Sequence, residues 1–148
     1  MAWRPTVPDD LCGPAATIAR RLVAKARNLR GHPDVPVKIL LYGPPGIGKT
    51  SVADMVAVEL SGCPLAVEEF NGKLVTVEVV KQWMAGLGMS SLFGVYSVRI
   101  INEMDRCSRD AQDLLLGYLD RLPVGRAVIG MSNLQLDLLT ERFQTRFQ

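Results

Sequence analysis

Short apolar runs alternate along the chain with longer stretches in which apolar residues recur every three or four positions. The runs predict strands, and the periodic stretches predict helices between them. Because strands that alternate with helices form parallel sheets, we expect an α/β fold whose ligand site lies beyond the carboxyl ends of the strands. The predicted strands are Val37–Tyr42, Leu65–Phe70, Val98–Ile101 and Ala127–Met131.

The periodic stretches predict amphipathic helices. The first begins near Pro14, a residue suited to a first helical turn. Thr76 and Ser108 are expected to cap two later helices, the first of which is predicted to run through Leu87, because a hydroxyl before the first turn accepts a backbone N–H. We interpret Trp83 as a packing residue, and a short helix is predicted through Leu139. The expected apolar stripes are Ile18, Leu22, Ala26 and Leu29; Val52, Met55, Val56 and Leu60; Val77, Val80, Met84 and Leu87; and Ala111, Leu114, Leu115, Tyr118, Leu119 and Leu122.

A glycine-rich octapeptide lies between the first predicted strand and the helix that follows it. It reads Gly43-Pro44-Pro45-Gly46-Ile47-Gly48-Lys49-Thr50 and fits G-x-x-x-x-G-K-[ST], in which backbone N–H groups cradle nucleotide phosphates. The positive end of the helix faces the same phosphates. Lys49 is expected to reach the β- and γ-phosphates and Thr50 to occupy one Mg²⁺ position, and Ser51 completes the predicted nucleotide-binding set.

Length and composition predict one soluble globular domain. The chain has 148 residues, of which 48% are hydrophobic and 22% charged, and its net charge of +2 is too small to indicate nucleic acid by itself. The three cysteines are far apart and form no C-x-x-C pair, which argues against a zinc site and a disulfide framework. No signal peptide or membrane-spanning run is visible, so we expect a cytoplasmic protein without a membrane partner.

Polar residues follow the third and fourth predicted strands. We interpret Asn102-Glu103-Met104-Asp105 as the end of the third strand, beside the phosphate loop. A carboxylate at Glu103 is suited to orient and polarise a water for in-line attack on a γ-phosphoryl group. Asn133 ends the fourth strand at the same edge, where its amide is suited to hold that water or contact the γ-phosphate. The simpler alternative for Asn133 is an asparagine turn.

The polar side of the first predicted helix is basic, with Arg20, Arg21, Lys25, Arg27 and Arg30. A solvated face is the simpler interpretation, and contact with DNA is the alternative.

Taken together, these motifs resemble the core of an AAA+ ATPase, most of all its clamp-loader and Holliday-junction-helicase branch. The octapeptide is similar to the Walker A loop, and Asn102–Asp105 occupies the place of the Walker B "DExD". The other similar segments are Trp3-Arg4-Pro5 with Asp9–Gly13, an N-terminal arm (residues 1–13) near the adenine; Ser132-Asn133, as sensor 1; and Glu141–Phe147, as the "SRC/SRF" box.

The resemblance implies that residues 1–148 form one P-loop NTPase core, a three-layer αβα fold around a parallel sheet. It implies ATP and Mg²⁺ as ligands, with Thr50 and Asn102 on the metal side, and ATP hydrolysis coupled to remodelling of DNA or a DNA-bound protein in replication or repair. It also implies a homo- or hetero-oligomer, because Arg146, with Arg142 as the fallback, matches an arginine finger that reaches the γ-phosphate of a neighbouring subunit.

Two departures from the family pattern concern turnover. Asn102 stands where the family usually has an aspartate, and an amide lacks the charge that supports Mg²⁺-bound water. The sequence also ends soon after Arg146, without the fifth strand and the helical lid. We therefore expect slow hydrolysis, unless Asp105 or Glu103 compensates, and weaker nucleotide affinity or a partner that supplies these elements.

Three other functions are alternatives to a DNA-remodelling ATPase. One alternative is an ATP-holding structural subunit with weak or no hydrolysis, which Asn102 and the missing lid motivate. A GTPase is disfavoured, because Asn102–Asp105 has glutamate where the guanine-reading N-K-x-D has lysine and follows the third strand, too early in the chain. A small-molecule kinase is disfavoured because no segment for an arginine-bearing lid follows.

Overall fold

The computed structural model describes residues 14–31, 35–42, 48–86 and 96–132. Several predictions lie outside the described residues: the arm at 1–13, the loop residues Gly43–Ile47, Leu87, the helix through Leu139, Asn133, Arg142 and Arg146.

The described residues form a four-stranded parallel sheet with the strand order β1-β4-β3-β2. The strands are β1 (Val37–Tyr42), β2 (Val67–Asn71), β3 (Ser97–Asn102) and β4 (Arg126–Ser132). The helices are α1 (Pro14–Arg30), α2 (Lys49–Ser61), α3 (Val77–Ala85) and α4 (Arg109–Asp120). The α/β prediction with a parallel sheet is therefore confirmed.

Helices cover both faces of the sheet, which gives three layers. On one face α1 and α2 pack against side chains such as Ile39, Ile100 and Ile129. On the other face α3 and α4 pack against Ile101 and Val128. Alternate residues of β3 and β4 thus enter opposite clusters, as expected for strands buried on both sides.

Both predicted helix caps are present. The Thr76 hydroxyl accepts the backbone N–H of Val79 at 3.3 Å, and the Ser108 hydroxyl accepts that of Ala111 at 3.2 Å. Each bond satisfies one of the N–H groups that a first helical turn leaves without a partner inside the helix.

Trp83 is a packing residue, as its sequence context predicts. Its side chain is buried and its ring centroid lies 4.9 Å from that of Phe70 and 5.6 Å from that of Tyr118. The guanidinium carbon of Arg99 lies 4.8 Å from the indole centroid, a cation–π arrangement that also leaves the ring unavailable for stacking on a base.

Two details of the predicted elements are wrong. Ile18 does not lie in the buried stripe of α1 and is 47% exposed, because Ala19 is buried in the cluster instead, together with the predicted Ala26. β2 begins at Val67 rather than Leu65, since Pro64 opens a short 3₁₀ turn in which Leu65 is 73% exposed.

The strand order corrects the expected position of Glu103. Strand β4, and not β3, pairs with β1. Strand β3 also ends at Asn102, and a 3₁₀ turn, Met104–Arg106, follows it. Glu103 therefore lies at the carboxyl edge of the sheet, but β4 separates its strand from the strand that leads into the phosphate loop.

Among the described helices, none has the length and apolar character needed to cross a bilayer.

Candidate functional site

The helix that follows the phosphate loop begins at the loop's own lysine. Gly48 caps α2 with φ 92°, a left-handed conformation that glycine adopts at low cost, and Lys49 is the first helical residue. Thr50 and Ser51 occupy the same first turn, so these three residues place a cation and two hydroxyls at the positive end of a helix.

Lys49 is electrostatically coupled to the turn that follows β3. Burial lowers the pKa of its ammonium group, and the nearby carboxylate of Asp105 partly opposes this by raising it. Charges interact this way only at short range. The start of α2 and the turn after Glu103 are therefore close enough for the charges of Lys49 and Asp105 to interact.

Glu103 has an unusual backbone conformation. Its φ of 53° and ψ of 49° are left-handed, and it is the only non-glycine residue with positive φ in the described part of the chain. Side chains other than glycine adopt this conformation at a cost, and such residues cluster at active sites. The strain marks Glu103 as a functional candidate on evidence independent of its sequence motif.

Neighbouring side chains hold the carboxylate of Glu103. The Asn71 amide donates a hydrogen bond to Oε2 at 3.2 Å, and Arg106 Nε lies 4.0 Å from the same oxygen. Asn71 ends β2 and pairs in register with Asn102 at the end of β3, so the neighbouring strand positions this contact. The Glu103 side chain remains 30% exposed, which leaves it accessible to water.

Gly72 allows the chain after β2 to approach Glu103 closely. A Cβ added at this position would clash with the carbonyl oxygen of Glu103, and it would lie 2.8 Å from its carbonyl carbon and 3.2 Å from the carbonyl oxygen of Asn102. All these neighbours are backbone atoms, which a rotamer change cannot move. Gly72 and Asn71 thus fix the backbone and the side chain of Glu103, respectively.

Met104 anchors the same turn to the sheet. It is fully buried, and a Cβ added at Gly130 in β4 would lie 2.5 Å from its Cε and 2.8 Å from its Sδ. The absence of a side chain at Gly130 therefore provides the space in which Met104 packs.

Cys107 follows the turn and is buried. Burial, and secondly the charge of Asp105, raise the pKa of its thiol to about 11. The group therefore stays protonated at neutral pH and is not a nucleophile. Because the folded state holds this proton more tightly, the thiol destabilises the fold as the pH rises from its ordinary pKa towards 11.

Sequence reasoning found part of this arrangement. Lys49, Thr50, Ser51, Asn102 and Glu103 all lie at the carboxyl edge of the sheet or in the first turn of α2. The roles of Asn71 and Gly72 were missed, because Asn-Gly after a predicted strand reads as an ordinary turn. Knowledge that β2 pairs with β3 would have identified Asn71 and Gly72, but the sequence does not reveal this pairing. The predicted site residues Gly43, Pro44, Pro45, Gly46, Ile47, Asn133 and Arg146 lie outside the described residues.

Comparison with curated proteins finds relatives whose names refer to recombination and to Holliday junctions. The chain is 29% identical over 121 residues to replication-associated recombination protein A of Bacillus subtilis, a match that covers 79% of this chain and 25% of that protein. It is 38% identical over 96 residues to the Holliday junction branch migration complex subunit RuvB of Salinispora tropica, covering 62% of this chain and 23% of that protein. The chain thus spans about a quarter of the length of these relatives.

Solved structures show the same fold. The RuvB Holliday junction branch migration motor of Thermotoga maritima superposes with a TM-score of 0.72 at 23% identity, over 97% of this chain and 46% of that one.

A family model places the chain more directly. The model described as "ATPase family associated with various cellular activities (AAA)" matches residues 39–148, which include the phosphate loop, the turn at Glu103 and the segment after β4. Since this match covers most of the chain, the protein belongs to the AAA family of ATPases.

Proposed function

We propose that this chain is an ATPase subunit that couples ATP hydrolysis to the remodelling of DNA or of a protein bound to DNA. The observation that carries the proposal is Glu103, whose strained backbone and held carboxylate lie in the turn that is electrostatically coupled to Lys49. The names of the relatives support the choice of DNA.

The residues present fit a magnesium nucleotide. Mg²⁺ binds through one or two protein ligands together with substrate phosphates, so it needs no cluster of acidic residues. Among the described residues, no group of three or more His, Cys, Asp or Glu could hold a metal alone. The Thr50 hydroxyl would be a direct ligand of the ion, and Asn102 would hold water bound to it. When bound, the ion would neutralise charge on the phosphates.

Glu103 is the proposed base. Its carboxylate accepts a hydrogen bond from water, orients that water towards the γ-phosphoryl group and takes its proton. As the bond from the water oxygen to the γ-phosphorus forms, the bond from that phosphorus to the bridging oxygen breaks, and ADP leaves. The hydrogen bond from Asn71 limits the directions in which the carboxylate can point, so positioning comes from β2. Lys49 and the N–H groups at residues 43–51 hold the phosphates in place.

Asn133 and Arg146 complete the proposed site. The Asn133 amide is assigned to the attacking water or the γ-phosphate, and Arg146 to the γ-phosphate of a neighbouring subunit, with Arg142 as the fallback. An arginine supplied by a neighbour requires assembly, so we propose a homo- or hetero-oligomer of such subunits.

Steady-state release of phosphate from ATP tests the proposed function. The purified chain is expected to release phosphate above background, and DNA is expected to change the rate. The matched control is Lys49→Ala, which should reduce release by about 100-fold or more, because it removes a charge that stabilises the transferred phosphoryl group. Release that survives in Lys49→Ala would come from a contaminant and would overturn the proposal.

A second candidate function is favoured by Asn102. Without a carboxylate at this position, the chain would bind ATP to hold an assembly together and hydrolyse it poorly. Wild-type release no greater than that of Lys49→Ala, together with nucleotide binding, would support this second function.

The variant Asn102→Asp is expected to lower the Mg²⁺ concentration needed for half-maximal nucleotide binding by about 10-fold, because groups that hold metal-bound water contribute 10- to 100-fold in metal affinity. A fluorescent ATP analogue titrated at several Mg²⁺ concentrations measures this shift. Asp120→Asn, an exchange at an exposed position at the end of α4, serves as the control. An unchanged Mg²⁺ midpoint in Asn102→Asp would show that position 102 does not support the metal.

A further inference from the structure

The solvent side of α1 carries cations and no anions. Its sequence, PAATIARRLVAKARNLR, contains no acidic residue, and the side chains of Arg20, Arg21, Lys25 and Arg27 are all exposed. We call these four residues the α1 basic face. Helices on protein surfaces usually mix both signs, so a one-signed face of this length attracts a polyanion.

The apolar side of α1 fixes the direction of this face. Ala19 and Ala26 enter the cluster between α1, α2 and the sheet. The basic side chains therefore point away from the sheet. All four side chains of the face are exposed, although Arg27 also contacts α2 through Glu59.

Glu59 of α2 contacts two arginines at the carboxyl end of α1. Its Oε1 lies 2.9 Å from Arg27 Nε and 3.7 Å from Arg30 Nη2. Arg30 also lies against Gly62, the C-cap of α2, where a cation is favoured by the helix dipole. These contacts hold the carboxyl end of α1 on α2, and Arg20 and Arg21, nearer the amino-terminal end, are exposed.

The opposite layer does not share this character. Helices α3 and α4 expose Glu78, Asp110 and Asp113 together with Lys81 and Arg109. A polyanion would meet repulsion there, so charge alone selects the α1 side of the domain. A second copy of this chain could bind the α1 basic face by charge only through a strongly acidic surface. The described surface of α3 and α4 carries both positive and negative residues, so it does not offer one.

We propose that the α1 basic face binds the phosphate backbone of a nucleic acid. Arg21 and Lys25 are separated by about 6 Å along the helix axis, which matches about two phosphate steps of one DNA strand. Contacts to phosphate carry no sequence information, so this face supplies affinity and orientation and not base recognition. The inference rests on the proposed function for the class of partner and adds the surface that receives it.

Equilibrium binding to a fluorescent duplex DNA of mixed sequence, without nucleotide and at several NaCl concentrations, tests the inference. The test variant is Arg21→Glu/Lys25→Glu, and the matched control is Lys81→Glu/Arg109→Glu on the opposite layer. Each substitution of a cation by glutamate lowers the net charge by two. Both double variants therefore have a net charge of −2, whereas the wild type has +2. A difference in DNA affinity between the two variants therefore depends on where the substituted cations lie and not on total charge.

The test variant is expected to bind about 10- to 100-fold more weakly near 0.1 M salt, and the slope of log affinity against log salt should fall by about 2, since each phosphate contact contributes about 0.9. The control should stay close to the wild type. Equal losses in both variants, no loss in the test variant, or no DNA binding by the wild type would each overturn the inference. A test variant that changes only self-association in sedimentation would overturn it in favour of a protein partner.

A milder variant guards against misfolding. Arg21→Gln/Lys25→Gln removes the same two phosphate contacts without adding negative charge, so the slope should again fall by about 2 while the affinity falls less than in the test variant. Thermal melting of each variant checks its fold. Phosphate release separates the two proposals: DNA-dependent release by a test variant that still binds DNA would overturn the α1 assignment alone. Loss of binding in the test variant, with no phosphate release by the wild type, would overturn the proposed ATPase and leave the α1 assignment standing.

Discussion

Replacing Glu103 by glutamine is expected to slow phosphate release by about 100- to 1,000-fold, because general-base catalysis contributes factors of this size. Glutamine keeps the size of the side chain and one oxygen that can accept the Asn71 hydrogen bond, but it cannot take a proton from water. Nucleotide affinity should remain within about twofold, since binding depends mainly on the phosphate loop and Lys49. Single-turnover phosphate release and titration with a fluorescent ATP analogue measure the two quantities.

Asp110→Asn is a suitable control for Glu103→Gln. It also removes one carboxylate, but it does so at an exposed position in the first turn of α4, and its turnover should match the wild type. If Glu103→Gln released phosphate at the wild-type rate, Glu103 would not be the base, and its left-handed backbone would have another cause.

Gly72→Ala is expected to reduce turnover by about 100-fold, although position 72 carries no reactive group, because a misplacement of about 1 Å at a catalytic residue can cost that much. The added methyl group would clash with the carbonyl of Glu103, and backbone atoms cannot rotate away from it. The turn or the end of β2 must shift, which should also lower the free energy of unfolding by about 1–3 kcal/mol. Phosphate release and chemical denaturation measure the two effects.

Gly130→Ala adds the same methyl group at a different kind of neighbour. There the close atoms belong to the flexible end of Met104, which can change rotamer, so turnover should fall less than in Gly72→Ala. Equal activity in Gly72→Ala and the wild type would show that the contact between Gly72 and Glu103 does not position the carboxylate.

The sequence predicted those elements whose signals are local. Strand β1 was found with both of its ends, because six residues between turn signals have strand character. The caps Thr76 and Ser108 were found because a hydroxyl before a helical stripe acts on its own first turn. Lys49 was placed by a motif whose chemistry lies within one loop and one helical turn.

The features that were missed depend on contacts between distant segments. Ile18 was expected to be buried because it is large and apolar, but close packing between α1 and α2 favours alanine. Strand β2 was placed early because its outer residues Glu68 and Glu69 are exposed and weaken the apolar signal. The contacts of Asn71 and Gly72 with Glu103 follow from the pairing of β2 with β3, which sequence periodicity does not specify.

The position of β4 between β1 and β3 has a consequence for the order of folding. Among the described strands, β1 pairs only with β4, and its first residue, Val37, lies opposite Ala127. During synthesis, the strand that leads into the phosphate loop must therefore wait until most of the described chain has left the ribosome. Contacts of such long range are slow to form. A nascent chain that ends before Arg126 should pair β2 with β3 and remain unable to present Lys49 on a finished sheet.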